Sequence, residues 1–129
     1  MAHNPLSVKT LDHIALHVSD LAASIRFYGE TLGLPQIPRP AFDFDGAWFG
    51  LGEARELHLI VGRTETVNSF SRRTHFALEI TDPEAAERHL TRMKATFNPP
   101  KLRPDGAIQI FVTDPDGYWI ELCEKSGVQ

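Results

Sequence analysis

LDHIALHVSD (residues 11–20) and RTHFALEITD (residues 73–82) are one phrase written twice. A displacement of 62 lays His13 on His75, Ala15 on Ala77, Leu16 on Leu78 and Asp20 on Asp82; between these identities Ile14 faces Phe76, Val18 faces Ile80 and Ser19 faces Thr81. Self-similarity at a fixed displacement marks a repeated structural unit. Each copy continues in the same order. After Asp20, Leu21, Ile25, Tyr28 and Leu32 fall at helical spacing, with Asp20 placed to cap the start and Gly33 to end it. After Asp82, Pro83 takes the first helical position and Ala86, Leu90 and Met93 share a face.

Beyond each helix come short strand-like runs: GAWFGLG (46–52) and ELHLIVG (56–62) in the first copy, AIQIFV (107–112) and GYWIELC (117–123) in the second. The last two are joined by TDPDG (113–117), a turn signal. The stretches near 36–42 and 95–103 hold five prolines, Pro35, Pro38, Pro40, Pro99 and Pro100 at or near them, and read as edge strands or loops because proline removes a ladder donor. The fold class is therefore α+β: one domain over 1–129 built of two tandem βαβββ modules, 8–64 and 70–125, forming a curved mixed sheet with helices on its outer face.

Composition narrows the function. A chain of 129 residues with 42% hydrophobic and 23% charged side chains carries one sizeable core. A net charge of −4 offers no basic stripe for nucleic acid, so a small-molecule substrate is the expected partner. No apolar run is long enough for a membrane span, MAHNPLSVKT lacks a secretory pattern and Cys123 is the single cysteine, which together predict a cytoplasmic protein without disulfides. His3 and His89 read as surface residues.

Alternation sorts the strand side chains. Ile14, Leu16 and Val18 share one face and Leu11, His13, Ala15 and His17 the other; Phe76, Leu78 and Ile80 oppose Arg73, His75, Ala77 and Glu79; Leu57, Leu59 and Val61 oppose Glu56, His58 and Ile60; Ile120 and Leu122 oppose Trp119, Glu121 and Cys123. Each strand has an apolar face for the helices and a mixed face. The mixed face carries His13, His58, His75 and Glu121, costly to bury alone and satisfied together by one divalent cation.

These words, LDHIALHVSDLAASIRFYGETLGL, ELHLIVG, THFALEITDPEAAERHL and DPDGYWIEL, resemble the vicinal oxygen chelate superfamily of glyoxalases, bleomycin-resistance proteins and extradiol dioxygenases. The resemblance implies metal ligation by His13, His58, His75 and Glu121, with histidine at 58 where glyoxalases usually place glutamate or glutamine. It implies a metal-dependent enzyme of the glyoxalase-like type that chelates a small oxygen-rich substrate and performs lyase or isomerase chemistry through an enolate-like intermediate. An iron-dependent extradiol-type dioxygenase and a metal-free ligand-sequestering protein are the alternatives. The metal is one divalent ion per site, Zn, Ni, Fe, Mn or Co. Glu121 is the first candidate base, His17 and Glu79 the second. Arg73, Lys101 and Arg103, with Arg72 nearby, are expected to hold a carboxylate or phosphate of the substrate, and Phe49, Phe111 and Trp119 to line an apolar wall. Small members of this superfamily are commonly homodimers, with modules paired within one chain or across two.

Overall fold

A computed structural model describes residues 5–125; His3 lies outside the described residues. The first module runs β1 (His13–Val18), α1 (Leu21–Arg26), β2 (Gln36–Ile37), β3 (Gly46–Gly52) and β4 (Arg55–Val61). The second runs β5 (Phe76–Glu79), α2 (Pro83–Arg92), β6 (Thr96–Phe97), β7 (Lys101–Leu102), β8 (Ile108–Thr113) and β9 (Trp119–Cys123). Each module makes its own mixed sheet, ordered β1-β4-β3-β2 and β5-β9-β8-β6, with β7 on the flank of β8. The duplication extends to register. Ile14 lies opposite Leu57 and Ala15 opposite His58 across the parallel β1–β4 pair; their counterparts Phe76 and Ala77 lie opposite Ile120 and Glu121 across β5–β9. The displacement is 62 in the first strands and 63 in the last, so one residue entered between helix and hairpin without disturbing the pairing.

Both helices start as their sequences specify. The Asp20 carboxylate accepts from the Ala23 amide at 3.1 Å and that of Asp82 from the Ala85 amide at 3.1 Å, each satisfying a donor that the first turn leaves open. The ends differ. The expected helix after Asp20 does not run on as α-helix to Gly33: beyond Arg26 it widens into a π-helical turn over Phe27–Thr31, closed by the Leu32 amide on the Phe27 carbonyl at 2.9 Å, with Gly33 at φ +72° stopping it. That turn carries Phe27 and Tyr28 into the interior.

One apolar core serves both modules. Leu16, Val18, Ala47, Phe49, Leu57 and Leu59 meet Leu90, Ile110, Val112, Ile120 and Leu122 around Phe27 and Tyr28. Because the two apolar faces share this interior, the two mixed faces point away from each other. A polar clamp crosses it. The buried Tyr28 hydroxyl donates to Asp114 Oδ2 at 2.7 Å, while Asp114 Oδ1 accepts from the Asp116 and Tyr118 amides at 2.9 and 2.8 Å. Asp116 in turn accepts from the Ser19 amide at 3.0 Å, and the Tyr118 hydroxyl donates to the His17 carbonyl at 2.9 Å. The DPDG turn is thus the joint between modules as well as a hairpin. His89 is more than a surface residue: its Nε2 donates to the Thr31 carbonyl at 3.0 Å, tying α2 to the end of the first helix. No described helix is long and apolar enough to cross a membrane.

Candidate metal centre

On the mixed face of the first sheet, β4 places His58 between two rings. Trp48 lies opposite it on β3, and its ring stacks on the imidazole at 3.8 Å and 3°; His13, one strand over on β1, covers the other face at 4.1 Å and 18°. Each histidine also has a carboxylate. His58 Nε2 donates to Glu56 Oε1 at 2.8 Å and His13 Nδ1 to Asp12 Oδ2 at 2.7 Å. A carboxylate that accepts from one ring nitrogen fixes the tautomer and leaves the other nitrogen with its lone pair, here His58 Nδ1 and His13 Nε2.

On the second sheet, β9 carries Glu121, buried, and the segment entering β5 carries His75. His75 Nδ1 faces the carbonyls of Phe70 and Arg73 at 3.2 and 3.1 Å. Carbonyls only accept, so the proton is on Nδ1, and the Nε2 lone pair looks at Glu121 Oε1 from 3.3 Å. Two lone pairs at that distance repel unless a proton or a cation stands between them. Two donors each about 2.1 Å from one ion sit about 3.0–3.4 Å apart. The imidazole–carboxylate pair therefore fits a divalent ion in both donor chemistry and spacing. The second carboxylate oxygen is already used: Arg103 Nη1 donates to Glu121 Oε2 at 2.8 Å, while the rest of that guanidinium grips Asp105. Hydrogen bonds to Asp105 and then Glu121 push the Arg103 guanidinium further above its already high range. Burial, with Glu121 beside it, pushes the Cys123 thiol up, so it remains a thiol.

The other expected residues divide. Phe111 lies opposite Glu121 and meets His75 edge-on at 5.3 Å; Trp119 packs on Phe111 at 5.4 Å and on Phe70 at 4.5 Å. Arg73 stands over the Phe70 ring at 5.5 Å. Lys101, with Arg72 and Arg103, lines a cavity of about 530 Å³ beside Glu121. Phe49 is corrected: it is fully buried opposite Leu57 on the core face, and its neighbour Trp48 is the aromatic residue of the mixed face. Trp48 was legible through the repeat, since 63 positions on it becomes Phe111. His17 and Glu79 are corrected as bases. Each stands one strand over and two residues along from the nearer ligand, His58 or Glu121, but His17 Nε2 lies beside Gly62 and Glu79 lines a different cavity from the one that Glu121 lines. Sequence reasoning also missed Glu56, Asp105 and the Tyr28–Asp114 joint.

Among the described residues, no group of three or more His, Cys, Asp or Glu side chains stands close enough to hold one ion. His13 with His58 and His75 with Glu121 are two half-sets, one on each outward face of the chain, and β1 and β5 are the outer strands of their sheets.

Comparison with known proteins agrees with this architecture. The family model of the Glyoxalase/Bleomycin resistance protein/Dioxygenase superfamily matches residues 10–122. The uncharacterized protein YwbC of Bacillus subtilis is 32% identical over 125 residues, covering 91% of this chain and 98% of that protein. A lactoylglutathione lyase of Salmonella typhimurium is 32% identical over 124 residues, covering 87% and 90%. The crystal structure of a glyoxalase family protein from Bacillus anthracis superposes with a TM-score of 0.78 at 27% identity, covering 98% of this chain and all of that one.

Proposed function

The chain belongs to the Glyoxalase/Bleomycin resistance protein/Dioxygenase superfamily, and within it we propose that it is a metal-dependent enzyme of the glyoxalase-like type, performing lyase or isomerase chemistry on a small substrate that chelates through neighbouring oxygens. The observation that carries this reading is the pair of half-sets in matching register, His13 with His58 and His75 with Glu121. Similarity to a lactoylglutathione lyase supports the reaction class.

Two copies of the chain complete the site. The shared core and the Tyr28–Asp114 clamp join the modules through their apolar faces and keep the two half-sets apart within one chain, which supports completion by a second copy. The outer strands β1 and β5 carry those half-sets to edges that a second copy can meet, giving each site His13 and His58 from one chain and His75 and Glu121 from the other.

A divalent ion held there supplies polarisation of a substrate carbonyl and stabilisation of the negative charge that develops on its oxygen. The chain supplies the rest. Glu121 is the proton acceptor: Arg103 pins Oε2, which leaves Oε1 directed at the site. Glu56 and Asp12 hold the imidazoles of His58 and His13 in one tautomer. Trp48 and Phe111 wall the two halves and exclude water from the reacting carbon.

Elemental analysis of the purified protein beside His75→Ala tests the metal: near one equivalent per chain, lost in the variant, is expected, and iron in the native protein would shift the assignment to dioxygenase chemistry. Metal in neither protein after reconstitution would overturn the reading and leave ligand sequestration. Mixing His13→Ala chains with Glu121→Ala chains tests the pairing. Exchange between the two should restore one intact metal site per mixed dimer, and no recovery would place the pairing within a chain.

A further inference from the structure

The cavity of about 530 Å³ beside Glu121 gathers cations and amides among apolar walls of Pro99, Leu102, Pro104 and Phe111. The sheet register builds it. Lys101 lies opposite Gln109 across β7–β8, and Gln109 lies opposite Cys123 across β8–β9, one pleat away from the Phe111–Glu121 pair. Asn98 and Arg72 close the sides. The lining contains a single carboxylate, Glu121, whose Oε2 accepts from Arg103 and whose Oε1 faces His75 Nε2 at 3.3 Å. Against this stand two cations and two amides, Lys101, Arg72, Gln109 and Asn98, whose side chains make no hydrogen bond or ion pair among the described residues. In a chain of net charge −4, an unpaired cation pair collected on one side of a cavity is a local reversal of sign. Arg103, expected from sequence to meet the substrate, is held by Asp105 and Glu121 and lines the cavity beside them.

We propose that this cavity binds an oxyanion, a carboxylate or a phosphate monoester, belonging to the same substrate whose chelating oxygens reach His75 and Glu121. The proposal rests on the enzymatic reading above and narrows it. Lys101 contributes a point charge and Arg72 a planar fork; the amides of Gln109 and Asn98 complete the donor set around the anion's oxygens. Two residues along a strand is about 7 Å, so the anionic group stands a short carbon chain away from the chelating oxygens. The substrate class is therefore a short anionic hydroxy- or oxo-compound, and its neutral counterpart is a poor ligand.

Titration calorimetry with inorganic phosphate on the metal-free protein tests the cavity without the metal. Saturable millimolar or tighter binding is expected, weakened at least about tenfold in Arg72→Gln/Lys101→Gln, the loss of two charge-assisted hydrogen bonds, and unchanged in Arg26→Gln/Arg88→Gln, which removes the same charge elsewhere. Equal weakening in both double variants, or no saturable binding, overturns the proposal. A second arm compares 3-phosphoglycerate, which keeps a carboxylate with its neighbouring hydroxyl free and carries the phosphate one carbon further, with glycerate on the metal-loaded protein; the phosphorylated acid should bind at least about tenfold tighter, and the advantage should vanish in Arg72→Gln/Lys101→Gln. If the protein takes up metal yet binds both acids alike, the cavity assignment fails while the enzymatic reading stands. If it takes up no metal, that reading fails, and the phosphate titration still decides the cavity.

Discussion

Two residues show how much a single hydrogen bond carries here. Glu56 touches no substrate, but it decides which nitrogen of His58 is bare, and Glu56→Ala should weaken metal affinity by roughly 10–100-fold, measured by competition with a chelator, while Asp12→Ala, at an exposed carboxylate, should weaken it less. Asp114 is the other. Burial pushes its carboxyl above the ordinary range, outweighing the bonds from Tyr28 and the Tyr118 and Asp116 amides that pull it down, and burial with Asp114 at hand pushes the Tyr28 phenol well up. The sign follows from linkage: between the ordinary carboxyl value and the raised one the folded state holds more protons than the unfolded state, so stability falls as pH rises through that window. Urea midpoints should show this slope, and Asp114→Asn, which keeps both backbone bonds through its remaining oxygen, should flatten it. Tyr28→Phe should cost about 1–3 kcal/mol by leaving a buried acceptor short of its donor. None of this was legible in the sequence, because DPDG announces a turn whatever its first carboxylate touches.

At the level of strands and helices the sequence spoke clearly where period and chemistry agree. The Asp20 and Asp82 caps, the Pro83 start and the alternation of β1 all appear as read. It misled at GAWFGLG, where adjacent Trp48 and Phe49 are equal in hydrophobicity and only the cross-strand partner tells which one faces the core. The π-helical turn was illegible because it depends on the tertiary demand to bury Phe27 and Tyr28 together. The β3–β4 turn is a further departure: Glu53 and Ala54 take φ of 52° and 64°, left-handed values that a side chain disfavours. Ala54→Gly should therefore stabilise the protein by about 1 kcal/mol, read from its denaturation midpoint. Gly46→Ala should act oppositely. A methyl group there would run into the Leu59 carbonyl oxygen of the neighbouring strand, and a loss of about 1–3 kcal/mol is expected.

The whole molecule is two half-tools joined back to back. The repeat, the βαβββ order and the four chemically apt side chains could be read from the chain, because duplication and parity survive in one dimension. Which half meets which could not, since the modules join through their apolar faces by contacts, Tyr28 to Asp114 and His89 to the Thr31 carbonyl, that no local pattern encodes. A second consequence of this arrangement concerns the outer strands. β1 and β5 present open edges in the isolated chain, and open edges invite indiscriminate pairing; dilution or a substitution that separates two copies should show itself as aggregation, visible in light scattering, before it shows as unfolding.

The ring stacked on His58 has one more use. The protein has two tryptophans, and each reports on a different half: Trp48 lies flat on the imidazole of His58 at 3.8 Å, while Trp119 packs on the rings of Phe70 and Phe111. Whatever draws electron density from that imidazole alters the emission of Trp48 directly. With Trp119 replaced by Phe, the remaining indole becomes an intrinsic fluorescent gauge of the first half-set, so that its occupancy could be followed in real time without label, substrate or turnover.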